Sequence, residues 1–116
     1  MYNINNNSVQ LQLPAPELTQ AMTGSQVTIG TLIANPCKII FDNQSTASIA
    51  VTMSSLGTSQ TWRTFPAGEA LVLDNDLEAF PAGTIFYATG TNGTGNFSIS
   101  YTYIKPEGPF AYSKPA

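Results

Sequence analysis

The sequence predicts an all-β fold, an antiparallel β-sandwich or jelly-roll-like single domain with extended N- and C-terminal arms. Three observations carry this prediction. Two copies of Phe-Pro-Ala-Gly, at residues 65–68 and 80–83, lie fifteen positions apart, each followed by a fresh apolar run. Proline presets φ and glycine supplies a permissive corner, so both copies punctuate strands. Phe97, Ile99, Tyr101 and Tyr103 alternate with Ser98, Ser100 and Thr102, the period-two pattern of a half-buried strand. No long helical pattern provides parallel crossovers, and roughly eight short strands at sandwich-like spacing favour antiparallel sheets.

Taken in order, residues 1–8 read as an Asn-rich arm with Tyr2 and Ile4 as its apolar anchors. A β-sandwich domain follows over residues 9–104. Val9, Leu11 and Leu13 alternate with Gln10 and Gln12 until Pro14 and Pro16 stop the strand. Glu17 to Met22 is predicted as one helical turn, with Pro16 at its start and Gly24 after it. Val27, Ile29, Thr31 and Ile33 are expected on one strand face, and residues 37–42 form a more uniformly apolar strand. Ile49, Val51 and Met53 give another one-sided strand, and a short strand over 61–65 carries Trp62. Two more are predicted near 69–74 and 84–89, and the closing strand follows the glycine-rich loop 90–95. The expected core contains Ile29, Phe41, Val51, Leu71, Ile85, Phe97 and Ile99. The strands around Ile39-Ile40-Phe41, Leu71-Val72-Leu73 and Ile85-Phe86-Tyr87 are apolar on both faces, so part of their outer surface is expected to be covered by an arm or another subunit. Residues 105–116 hold too much proline and glycine for a ladder strand and read as a Pro-rich C-terminal arm anchored by Phe110 and Tyr112.

Composition restricts the function. A chain of 116 residues can bury a core without several disulfides, and its one cysteine, Cys37, is expected as a buried strand residue. With 9% charged residues and a net charge of −3, the surface attracts neither phosphate backbones nor acidic lipids, so no nucleic-acid or membrane partner is expected. No basic start precedes an apolar stretch and no apolar run approaches a membrane span, so neither standard export nor membrane embedding is expected.

Reactive chemistry is sparse. Without histidine, Ser-His and Cys-His pairs and histidine-ligated metals are impossible, and no catalytic residue, metal or cofactor is predicted. Asp74, Asp76 and Glu78 crowd one loop where alternate oxygens can hold Ca²⁺, but the loop lacks the glycine and distant Glu of an EF-hand and reads as a solvated acidic turn. Trp62 and Arg63 can form an aromatic and guanidinium platform, against the simpler reading that the indole fills the core. Tyr101 and Tyr103 share a face with Phe97 and Ile99, which favours packing over a ligand platform. Glycosylation-type triplets begin at Asn6, Asn43, Asn92 and Asn96, as chance provides in so Asn-rich a chain. The loop 90–95 precedes a strand and has no Walker lysine, so it is not a phosphate cradle.

The run Phe80-Pro81-Ala82-Gly83-Thr84-Ile85-Phe86-Tyr87, the later Gly93-Thr94-Gly95-Asn96-Phe97-Ser98-Ile99-Ser100-Tyr101, and Ile40-Phe41-Asp42-Asn43-Gln44-Ser45 before a strand resemble small all-β structural proteins of tailed bacteriophages. The resemblance covers roughly residues 38–104 and leaves out the arms. It implies a non-enzymatic virion protein, assembled in the host cytoplasm, and within that class a capsid decoration or cement protein bridging capsid subunits. Its implied partners are the major capsid protein and other virion proteins, and its implied state is a homotrimer. Tyr2, Ile4, Phe110 and Tyr112 are the expected interface residues. A tail, neck or head-fibre component fits the same composition, and a carbohydrate-binding β-sandwich module is the alternative of another class.

Overall fold

The computed structural model describes residues 11–105. Among these residues, nine strands run in the order β1 (Gln12–Pro14), β2 (Leu18–Ala21), β3 (Val27–Thr31), β4 (Pro36–Asn43), β5 (Ile49–Met53), β6 (Arg63–Phe65), β7 (Ala70–Leu73), β8 (Ile85–Thr89) and β9 (Asn96–Ile104). They form a five-stranded sheet in the order β1-β9-β4-β7, with β2 also on β9, and a four-stranded sheet in the order β3-β8-β5-β6. Every pairing is antiparallel. From β2 onward the chain crosses repeatedly between sheets, which gives the jelly-roll order of β2-β9-β4-β7 facing β3-β8-β5-β6.

Alternation fixes which side chains meet between the sheets. Phe41 of β4 pairs with Ile99 of β9 and with Leu71 of β7, so these three residues form one row on the inner face. Ile39, Phe41, Ile49, Val51, Phe65, Phe86, Phe97 and Ile99 lose all their solvent exposure there. The rings of Phe41 and Trp62 lie 5.1 Å apart, and those of Phe65 and Phe97 stand edge to face at 5.1 Å. Offset and edge-to-face aromatic pairs add about 0.5–1.5 kcal/mol each beyond the area they bury.

The twin corners adopt the same turn. The amide of Glu69 donates to the Pro66 carbonyl at 3.0 Å, and that of Thr84 donates to the Pro81 carbonyl at 3.1 Å. Gly68 and Gly83 occupy the third turn position at φ 77° and 93°, the left-handed geometry a type II turn requires. Phe65 and Phe80, just before the two prolines, are both buried, so each corner is pinned to the core by its phenylalanine.

Four expectations need correction. Residues 18–21 form the strand β2 rather than a helical turn, because pairing with Phe97, Ser98 and Ile99 satisfies backbone groups that so short a helix would leave open. The face predicted for β3 holds only as far as Ile29. A bulge between Thr28 and Gly30 shifts the phase, so Leu32 is buried while Thr31 and Ile33 face outward. A Cβ at Gly30 would lie 2.8 Å from Leu18 Cδ2, so the glycine lets the bulge pack closely against β2. On β8 the inner residues are Phe86 and Ala88, which leaves Ile85 half-buried on the outside instead of in the core. Leu71 lies on the inner face as expected but stays half-buried, since β7 is the last strand of its sheet.

Candidate functional site

The half-buried Cys37 sits at a bulge in β4, between Pro36 and Lys38, rather than in the core. Its Sγ lies 3.4 Å from the Thr102 carbonyl oxygen and 3.3 Å from Thr102 Oγ1, so the thiol is engaged with β9. Beside it opens a cleft of about 520 Å³ lined by Asn35, Cys37, Asp74, Asp76 and Glu78 among others. The three carboxylate residues are all on the exposed surface. Asp76 is the only non-glycine at positive φ among the described residues, at 55°, and it precedes a 3₁₀ turn over Leu77–Ala79. No group of three or more acids or cysteines converges among the described residues.

Trp62 is committed to packing. The residue is half-buried, and its ring lies 5.1 Å from Phe41 and 5.5 Å from Phe80, against the aromatic core. Arg63 lies over the Phe65 ring at 5.2 Å and 3.6 Å from the Glu69 carboxylate, an arrangement that staples β6 to the first corner. Tyr101 is buried, and its hydroxyl oxygen accepts the Ile33 amide at 2.8 Å. A second cleft, of about 270 Å³, lies on the outside of the four-stranded sheet and is lined by neutral side chains such as Gln26, Thr52, Gln60 and Thr89. There the single Thr52 hydroxyl proton is shared between the carbonyls of Gly57 and Gln60, holding the loop after β5 over the sheet. No helix among the described residues is long and apolar enough to cross a membrane.

The surfaces that remain are an edge, a face and an end. On the outer face of the five-stranded sheet, Val72 is 52% exposed beside the half-buried Ile40, its partner in register. Among the described residues, the strand that carries Val72 is paired on one side only. At the end of the same sheet, Gln12 pairs with Ile104 and the Lys105 amide donates to the Leu11 carbonyl at 2.9 Å. The two ends of the described segment, Leu11 and Lys105, therefore lie side by side. Tyr2, Ile4, Phe110 and Tyr112 lie outside the described residues, beyond these two points.

Two of these features escape a sequence reading. The 69–74 strand is legible as a strand, but its edge position depends on pairing with β4, about thirty residues earlier in the chain. The buried Asn43, whose amide serves three carbonyls, reads in the sequence as part of a polar turn.

No protein-family model matches the chain, and no curated protein matches it at a significant level. Among solved structures it is similar to a chain described under Bacillus endospore appendages, a novel family of disulfide-linked pili. That similarity has a TM-score of 0.51 at 11% identity and covers 91% of this chain and 99% of that one. At this identity the two share a fold, an all-β sandwich of matching extent.

Proposed function

We propose that this chain is a non-enzymatic structural subunit that works by being built into a larger assembly. The assembly we assign is the virion of a tailed bacteriophage, and the role is capsid decoration, bridging neighbouring capsid subunits. The carrying observation is that Leu11 and Lys105, the ends of the described segment, lie side by side, so that both terminal segments start from one place on the sandwich and can serve the same neighbour. The outer-face residues Val72 and Ile40 support the same reading, because burying them against another subunit gains roughly 25 cal/mol per Å² of apolar surface. Several such weak contacts, repeated on a lattice, bind tightly through avidity.

A second reading has its own observation. The chain that shares this fold is described under disulfide-linked pili, and a sandwich with a strand edge unpaired among the described residues can also serve a filament. Co-sedimentation with phage particles lacking the native chain separates the two. Saturable binding at a fixed ratio to the major capsid protein is the expected result. Absence of binding, with filaments of the isolated chain in electron micrographs, would reject decoration in favour of the filament.

A further inference from the structure

We propose that the outer edge of β7 is a self-pairing surface, through which a second copy of this chain adds antiparallel across a two-fold axis centred at Leu71. The proposal deepens the assembly reading by naming one contact and its occupant.

Unpaired strand edges invite pairing, and folded proteins blunt them with proline, charge, bulges or brevity. The other edges of this sandwich carry such devices. Pro14 and Pro16 interrupt the chain along the β1 and β2 edge, a bulge at Gly30 breaks β3, and β6 is three residues long and carries Arg63. The β7 run Ala70-Leu71-Val72-Leu73, though only four residues long, carries no proline, no charge and no bulge in its pairing with β4.

Register shows which backbone groups are open. The Asn43 amide donates to the Glu69 carbonyl at 2.9 Å, and Phe41 and Ile39 stand opposite Leu71 and Leu73. Antiparallel bonding alternates along a strand, so Glu69, Leu71 and Leu73 turn their backbone groups toward β4. Ala70 and Val72 turn theirs away, to a side where no strand lies among the described residues.

That edge complements itself. With the axis at Leu71, Ala70 stands opposite the partner subunit's Val72 and Val72 opposite the partner subunit's Ala70, and each pair exchanges two bonds. Glu69 then faces the partner subunit's Leu73 and Asp74 faces the partner subunit's Gly68, so no acid opposes an acid. The inner row Phe41-Leu71 continues into the second copy, covering the half-buried Leu71. The strand bears no charge with which to select an oppositely charged partner, and its own copy satisfies every open group.

The test is sedimentation of the full chain from micromolar to near-millimolar concentration, combined with residue-resolved hydrogen exchange and the variant Val72→Pro. Because the Val72 N–H points outward, proline there removes the intermolecular donor and spares the bonds to β4, the placement edge strands tolerate. The expected result is a dimer weakened about tenfold or more in the variant with little change in melting temperature. In the wild-type chain, the Ala70 and Val72 amides should exchange more slowly as concentration rises, while those of Leu71 and Leu73 stay unchanged. Should the variant fail to fold, the exchange pattern alone decides. A chain that stays monomeric, a variant that dimerises like wild type, or exchange at Val72 independent of concentration overturns the proposal. Loss of the protection on deleting residues 1–10 also overturns it, by assigning the edge to the N-terminal segment. None of these outcomes bears on binding to particles, which the co-sedimentation experiment decides separately.

Discussion

Asn43 donates from Nδ2 to the Phe65 carbonyl at 2.9 Å, tying the end of β4 in one sheet to the end of β6 in the other. The same amide reaches the Ala47 and Pro66 carbonyls at 2.9 Å, and Asn43 Oδ1 accepts the Ser45 amide at 2.9 Å. A fully buried side chain thus meets its hydrogen-bonding needs while closing a turn and joining two layers. Asn43→Ala would leave the buried Phe65 carbonyl without this donor, and the expected loss of stability is on the order of 3 kcal/mol. Urea unfolding measures it, and a loss under about 0.5 kcal/mol, the range of surface substitutions, would show that the tie is dispensable.

Ile99 tests the inner-face assignment of β9. It is fully buried between Leu18 and Phe41, its partners on either side. Ile99→Ala should cost about 2–5 kcal/mol, the range for emptying such a site. Its outward neighbour Ser100 gives the contrast: Ser100→Ala should change stability by less than about 0.5 kcal/mol. Equal effects at the two positions would contradict the register.

The twin corners make a paired prediction. A Cβ added at Gly68 or Gly83 meets no atom within 4 Å, so any cost of alanine there comes from the backbone alone. Both glycines hold positive φ, and each alanine should therefore cost about 1–2 kcal/mol, nearly the same at both corners. Thermal melting of the two variants checks this, and a large inequality would mean that one corner relaxes into another turn.

Sequence patterning made the fold class legible because the strongest signals were local. The alternation from Phe97 to Tyr101 and the Phe-Pro-Ala-Gly corners each arise within a few residues, and each lies where its pattern implies. Expectation and structure part where distant pairing decides. Leu18 to Ala21 has no clear period of its own, and β9, nearly eighty residues away, makes it a strand. The β3 bulge depends on Gly30 passing Leu18, a contact between two different sheets. Val72 reads as half of a buried apolar strand until β7 takes the outside position and leaves it exposed. The expected interface residues Tyr2, Ile4, Phe110 and Tyr112 lie beyond the described chain, and function tests them more directly than structure.

Under the proposed function, the C-terminal segment serves attachment rather than folding. Pro106, Pro109 and Pro115 restrict the free segment and lower the entropy lost on ordering it, while Phe110 and Tyr112 supply apolar anchors. Deleting residues 106–116 should leave the melting temperature of the β-sandwich nearly unchanged and weaken co-sedimentation with particles. Unfolding on truncation would make the segment part of the core, and undiminished binding would remove its assigned role.

If the chain is a repeated structural component of a phage particle, its copy number there is the deciding measurement. Quantitative mass spectrometry of purified particles gives the ratio of this chain to the major capsid protein. Decoration predicts hundreds of copies per particle in a fixed ratio to that protein. A handful of copies would place the chain in the tail or neck, and its absence from particles would contradict the virion account altogether.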